Sequence, residues 1–129
     1  MTSRELAALF ETERKRFARY FNRAARVEMQ IETSRCVSPD HCAYRDFGYT
    51  DTRVVVLHHR ILKASRNRAV GLIRHELGHV CDPTIWNPGA EQRADDIAEL
   101  VSGEKIRYDH RDVQTVGRGA YPRPTYLPK

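Results

Sequence analysis

The sequence predicts an α+β domain, in which a small antiparallel or mixed sheet is backed by helices. Three observations support this class: an N-terminal amphipathic segment, two segments typical of strands, and two consecutive amphipathic segments after residue 64. The chain has 129 residues, which suits one domain with its own core. We assign residues 1–116 to this domain and residues 117–129, which are rich in proline and glycine, to an extended tail.

The first element is predicted to be a helix over residues 2–26. Thr2 and Glu5 form the pattern of a capping box, in which each side chain bonds the other residue's backbone N–H. Apolar residues then recur at spacings of three and four, which places them on one face of a helix. These residues are Leu6, Leu9, Phe10, Phe17, Tyr20 and Phe21.

Two strands are predicted next. Residues 26–33 alternate apolar and polar side chains, which is typical of a half-buried strand. Residues 53–59 begin with a β-branched run and predict a second strand. The intervening residues 34–52 contain several turn-forming residues, with room for a short strand near residues 43–47.

Two helices complete the predicted domain. Residues 64–80 have an apolar face, with Ser65 as the expected N-cap. Two prolines then interrupt the chain, and residues 90–103 form another amphipathic helix that ends at Gly103.

Composition favours a cytoplasmic protein with no membrane partner, and a place within a phage particle is the alternative location. No apolar run approaches the roughly 20 residues that span a bilayer, and charges interrupt the N-terminus too often for a signal peptide. The odd number of cysteines fits a reducing compartment. We expect Cys36 and Cys42 to be free thiols rather than ligands of a second metal with His41, and Cys81 to be a small buried residue rather than a thiol switch on a metal.

The net charge is +5, and basic residues concentrate in the first helix and the tail. A surface of this kind can contact nucleic acid or an acidic partner. The simpler interpretation is a solvated helix face and a soluble tail. The tail also leaves open docking onto a larger protein assembly through extended, proline-rich chain.

The sequence HELGH holds the residues that carry chemistry. His75 and His79 are four apart, so on a helix they project side by side and can bind one ion. Zn²⁺ accepts imidazole nitrogen well. Glu76 would lie beside the ion, where a carboxylate can take a proton from a water that the metal acidifies. The alternatives are buried histidines bonded to backbone, or an ion pair with Glu76.

A catalytic zinc needs a third protein ligand. Glu91 and Asp95 lie on the next predicted helix and are again four residues apart, so both can face the helix that carries the two histidines. We expect Glu91 to be the third ligand. Asp95 would accept a hydrogen bond from the non-ligating nitrogen of a metal histidine, most plausibly His75.

HELGH followed by EQRADDIA resembles the zinc metallopeptidases of the IrrE/ImmA type, within the gluzincin group. The resemblance covers residues 53 to 102 and implies a minimal gluzincin-like domain. Arg93 and Ile97 stand where that family usually has Glu and Phe, and the linker between the two helices is short. No helix-turn-helix segment accompanies the motif, which places in doubt the family's role in cleaving a DNA-bound repressor.

The resemblance also implies substrate-binding residues. In gluzincins an edge strand lines the cleft and pairs with extended substrate, and Val54, Val55, Val56 and Leu57 would serve here. A donor to the oxyanion is expected as well. His110 is our candidate, with Tyr108 beside it, although both residues suit an ordinary surface loop equally.

These features predict a zinc metalloendopeptidase that hydrolyses a peptide bond in a protein substrate. The alternative is a structural or interaction module, such as a component of a phage or mobile-element particle, that keeps a zinc site without proteolysis. A third interpretation is a protease associated with nucleic acid through its basic first helix.

Overall fold

The structure, a computed structural model, describes residues 1–32, 48–51, 53–84 and 87–106. It confirms the α+β class, with three α-helices and a small sheet. The elements are α1 (Ser3–Ala18), β1 (Glu28–Glu32), β2 (Gly48–Asp51), β3 (Val54–His58), α2 (Arg66–Cys81) and α3 (Ala90–Ser102). Short 3-10 helices cover Asn22–Arg26 and His59–Lys63. No helix in these parts of the chain is long and apolar enough to cross a membrane.

Helix α1 begins as predicted but ends earlier. Thr2 Oγ1 accepts a hydrogen bond from the Glu5 N–H at 3.1 Å, and Glu5 Oε1 accepts one from the Thr2 N–H at 3.0 Å. The helix stops at Ala18 because its buried stripe ends at Phe17, whereas Tyr20 is 69% exposed. The chain then turns through the Asn22–Arg26 helix, so the prediction of one helix over residues 2–26 is wrong at its C-terminal end.

The sheet has the order β1-β3-β2. Strand β1 runs parallel to β3, with Glu28 opposite Val54. Strand β2 runs antiparallel to β3, with Asp51 opposite Val54. Strand β3 is therefore central, and its residues Val55–His58 are all buried, as expected for a strand covered on both faces.

Strand β2 lies within residues 34–52, where the sequence predicted turns. Its residues Gly48–Asp51 include glycine and aspartate, which have low β-propensity. It forms because its backbone pairs with β3. The short strand expected near residues 43–47 lies outside the described residues.

Helices α2 and α3 agree with the predicted helices to within two residues. Ser65 caps α2, since its Oγ accepts a hydrogen bond from the Arg68 N–H at 3.2 Å. Gly89 is the N-cap of α3 and Gly103 is its C-cap, and both glycines have left-handed backbone angles, with φ of 84° and 72°. Helix α2 packs against α1 and β2 and makes its most extensive contact with α3. The residues at that contact build the site described next.

Candidate metal centre

Helix α2 places two imidazoles side by side. His75 and His79 lie one turn apart on the same face, and their ring centroids are 4.7 Å apart with the planes at 85°. Their Nε2 atoms are 3.2 Å apart. Both residues are buried, with His75 1% and His79 7% exposed. The local helix periodicity alone accounts for this pair.

Helix α3 supplies a carboxylate that reaches both rings. Glu91 Oε1 lies 3.0 Å from His75 Nε2 and 3.0 Å from His79 Nε2. Glu91 is buried in the first turn of α3. Within the described parts of the chain, these three residues form the one group of His, Cys, Asp or Glu side chains arranged to hold a metal ion.

The three donor atoms fit a small tetrahedral cation. Two nitrogens and one carboxylate oxygen are a donor set that divalent transition metals accept. With bonds of about 2.0–2.1 Å, the ligand atoms of a tetrahedral site lie about 3.3 Å apart. The observed separations of 3.0–3.2 Å differ from this by a few tenths of an ångström. A small side-chain movement would therefore complete the site.

Asp95 orients the first histidine. Its Oδ1 lies 2.8 Å from His75 Nδ1, and both groups are buried. Asp95 lies one turn after Glu91 on α3, so a single helix face presents both carboxylates. With the Nδ1 proton bonded to Asp95, the Nε2 lone pair of His75 points at the site. The contact between Asp95 and His75 is the one that the sequence predicted, whereas the role of His75 as a metal ligand stays a prediction.

The electrostatics of the site favour a positive charge between these groups. Burial by itself lowers the pKa of His75, but its hydrogen bonds to Asp95 and Glu91 and their negative charges raise that pKa well above its usual value. Burial by itself raises the pKa of Glu91, yet the hydrogen bonds and charges of His75 and His79 bring that pKa well below its usual value. A divalent cation would supply the same positive charge without a proton.

Glu76 lies beside the three donor atoms rather than among them. Its Oε2 is 3.9 Å from His75 Nε2, and the residue is 4% exposed. A carboxylate in this place can reach a water at the ion without itself binding the ion. The structure therefore places the Glu76 carboxylate next to the three donor atoms without making it one of them.

His79 differs from His75 in its second nitrogen. In the described parts of the chain, the buried Nδ1 of His79 has no hydrogen-bond partner. Histidines that bind metals almost always donate this N–H to an oxygen. The orientation of His79 thus depends on the helix and on Glu91, whereas Asp95 holds His75 directly.

Gly78 allows the two helices to approach, and the sequence analysis missed its role. A Cβ atom at this position would lie 2.8 Å from the Ala94 carbonyl carbon and 2.9 Å from Ala94 Cα. Any side chain would separate α2 from α3 and carry Glu91 away from the histidines. A glycine inside a predicted helix, one residue before a ligand, was the available signal.

Arg93 organises the linker between α2 and α3. Its guanidinium donates to Asp82 Oδ2 at 3.0 Å and to three backbone carbonyls, those of Thr84, Asn87 and Pro88, at 2.8, 3.1 and 2.6 Å. Burial raises the pKa of the Asp82 carboxyl, but hydrogen bonds from Thr84 and Arg93 outweigh this and lower it. Arg93 thus has a structural role, because it fixes the linker that leads into Glu91.

The strand that was predicted to bind substrate is not at the edge of the sheet. Val54, Val55, Val56 and Leu57 form the central strand β3, which is paired with β1 on one side and β2 on the other. Its backbone groups are already used, so β3 cannot add a peptide by strand pairing. The assignment of this strand as a substrate-binding edge is wrong.

The remaining predicted residues lie either outside the described part of the chain or outside the metal centre. His110 and Tyr108 lie outside the described residues, as do Cys36, His41 and Cys42. Cys81 is buried as predicted. Burial raises the pKa of its thiol to about 12, which opposes formation of a reactive thiolate.

Comparisons with known proteins identify no family for this chain. No family model, curated protein or solved structure matches the chain. The likeness to the IrrE/ImmA-type peptidases therefore stays a prediction made from the motif residues.

Proposed function

We propose that the protein is a zinc-dependent metallopeptidase that cleaves a peptide bond in a protein substrate. The observation that carries this proposal is the convergence of His75, His79 and Glu91, with Glu76 buried beside them. A structural zinc site needs a closed set of protein ligands around the ion. It does not need a further carboxylate that can accept a proton. The position of Glu76 therefore favours hydrolysis.

The chemistry divides among the residues of the site. His75, His79 and Glu91 would hold the ion, and zinc, when bound, makes a water acidic and polarises a carbonyl. Glu76 would accept the proton of the attacking water and then deliver it to the leaving amine nitrogen. Asp95 keeps His75 in the tautomer that binds through Nε2.

Substrate would bind along the sheet edge nearest to α2. Strand β2 packs against α2, and among the described strands it has a neighbour, β3, on one side only. An extended peptide can add to such an edge through main-chain hydrogen bonds. We assign to β2 the role that the sequence analysis gave to β3.

The decisive experiment separates metal binding from proteolysis. Purified protein should contain about one zinc per chain by elemental analysis, as a site with three protein ligands implies, and should cleave peptides in a mass-spectrometric library assay. Glu76→Gln should retain the zinc and abolish cleavage. Glu28→Gln, at an exposed position on β1, is the matched control and should change neither. Retained cleavage by Glu76→Gln would remove Glu76 from the role of base.

A structural zinc site is the second candidate, and the low exposure of all three ligands favours it. Such a site would fit the alternative of an interaction module. Removal of zinc by a chelator would then unfold the protein. For the peptidase, the same treatment should abolish cleavage while circular dichroism still shows a folded chain.

A further inference from the structure

A groove on the protein surface lies where β1 and β3 begin. This groove, which we call the arginine groove, has a volume of about 920 Å³. It is lined by Asn22, Arg23, Ala25, Arg26, Val27 and Arg53. None of these residues belongs to the candidate metal centre.

The fold brings its three arginines together from distant parts of the chain. Strands β1 and β3 are parallel, so Arg26 and Arg53, which precede them, meet at the same end of the sheet. Arg23 is three residues before Arg26 in a 3-10 helix, where side chains three apart lie on one face. The convergence is thus a consequence of strand pairing and helix type.

The backbone beneath these side chains is held in place. The Glu28 N–H donates to the Arg53 carbonyl at 3.0 Å, which joins the two strand ends. The Arg14 guanidinium donates to the carbonyls of Ala24 and Ala25 at 3.2 and 2.9 Å. The arginine groove therefore has a fixed base from which long side chains extend.

The charge of the groove is uncompensated. Arg23, Arg26 and Arg53 are exposed, and within the described residues none of them has a hydrogen-bonded or ion-paired partner. Among the residues whose side chains the structure describes, no acidic residue lines the groove. By contrast, a groove of about 750 Å³ beside α1 contains Arg74, whose guanidinium is paired with both Glu13 and Glu104. Among the described residues, the arginine groove thus presents three guanidinium groups that have no hydrogen-bonded or ion-paired partner.

We infer that the arginine groove binds the phosphodiester backbone of nucleic acid. A guanidinium presents paired N–H donors that match phosphate oxygens, and three of them in one groove suit a ligand with regularly repeated phosphates. A lipid surface suits it less, because the exposed large apolar side chains among the described residues, Tyr20 and Leu100, do not line it. Binding of this kind is sensitive to salt and independent of base sequence.

The test compares two triple variants of the full chain that have the same net charge. Arg23→Ala/Arg26→Ala/Arg53→Ala removes the groove cations. Arg4→Ala/Lys15→Ala/Lys63→Ala removes three exposed cations outside it. Fluorescence anisotropy would measure binding of a labelled DNA duplex of about 20 base pairs at salt concentrations from about 50 to 200 mM. Thermal melts would check the fold of each variant.

The wild type and the control variant should bind with a steep salt dependence. The groove variant should lose at least about tenfold in affinity, and its log–log salt slope should fall by about 2–3, since each phosphate contact contributes about 0.9. Equal loss in both variants would overturn the inference, as would equal competition by a poly-glutamate peptide of matched charge. If the triple variant melts early, Arg26→Glu alone must still weaken binding and flatten the slope.

Discussion

Replacing Gly78 by alanine tests whether the close approach of α2 and α3 builds the metal centre. The added Cβ atom would lie 2.8 Å from the Ala94 carbonyl carbon and 2.9 Å from Ala94 Cα. These are backbone atoms of α3, so no change of rotamer can relieve the contact. Nonbonded carbon atoms are best separated by about 3.5–4.0 Å, and the Ala94 carbonyl oxygen lies closer still to the added Cβ atom, so α3 must move by about 1 Å or more.

That movement has two measurable consequences. Overpacking of a core typically costs about 1–3 kcal/mol, while alanine in a helix gains about 0.8–1 kcal/mol over glycine. We therefore expect a net loss of up to about 2 kcal/mol in the free energy of unfolding. Glu91 lies one turn before Ala94 on α3, and its Oε1 contacts both imidazoles at 3.0 Å. A comparable displacement of Glu91 should weaken zinc binding at least about tenfold.

Urea denaturation and competition with a chromophoric chelator would measure the two effects. The control is Asn67→Ala, an exposed position in the first turn of α2, which should change stability by less than about 0.5 kcal/mol and leave zinc affinity unchanged. A Gly78→Ala protein that is more stable than the wild type and binds zinc equally well would refute the reasoning. Alanine would then have gained its helix propensity without any contact with α3.

Four further predictions concern Arg93, Asp95, Cys81 and the metal ion. Arg93→Ala should lower the melting temperature and weaken zinc binding, because the linker loses four hydrogen bonds; Arg93→Lys should recover only part of both, since an ammonium lacks the planar fork. Asp95→Asn should reduce zinc affinity about 10–100-fold in a chelator competition assay, with little effect if His75 is not a ligand. Native Cys81 should not react with a thiol reagent at mildly alkaline pH, because burial raises its pKa to about 12; rapid labelling of the folded protein would contradict this. Zinc at about 100 times its dissociation constant should stabilise the fold by about 2.7 kcal/mol in a thermal melt, whereas calcium, which prefers oxygen ligands, should not.

The start of α2 and the end of α3 could be predicted from the sequence, because local signals determine them. Ser65 and Gly103 mark the ends of α2 and α3 through capping chemistry, which acts within one helical turn. The sheet order was not predictable, because the pairing of β3 with both β1 and β2 depends on contacts between distant segments. For this reason the central strand was mistaken for an edge.

The same distinction holds within the site. His75 and His79, and likewise Glu91 and Asp95, are pairs four residues apart, so each pair could be predicted from helix periodicity alone. The role of Gly78 depends on which backbone faces it across the helix contact, and a sequence pattern does not give that information.

The buried carboxylates show why the site calls for a cation rather than merely tolerating one. Outside the centre, Asp82 is bonded to Arg93 and Glu13 to Arg74, at 3.0 and 2.7 Å, so each buried anion faces a permanently charged guanidinium. Within the centre, the corresponding contacts of Glu91 and Asp95 are to imidazoles, which are charged only when protonated. Burial of a carboxylate without a compensating positive charge is costly. A divalent ion at the three donor atoms would supply that charge in place of a proton on His75, whose pKa these carboxylates raise, so zinc binding and protonation of His75 should compete.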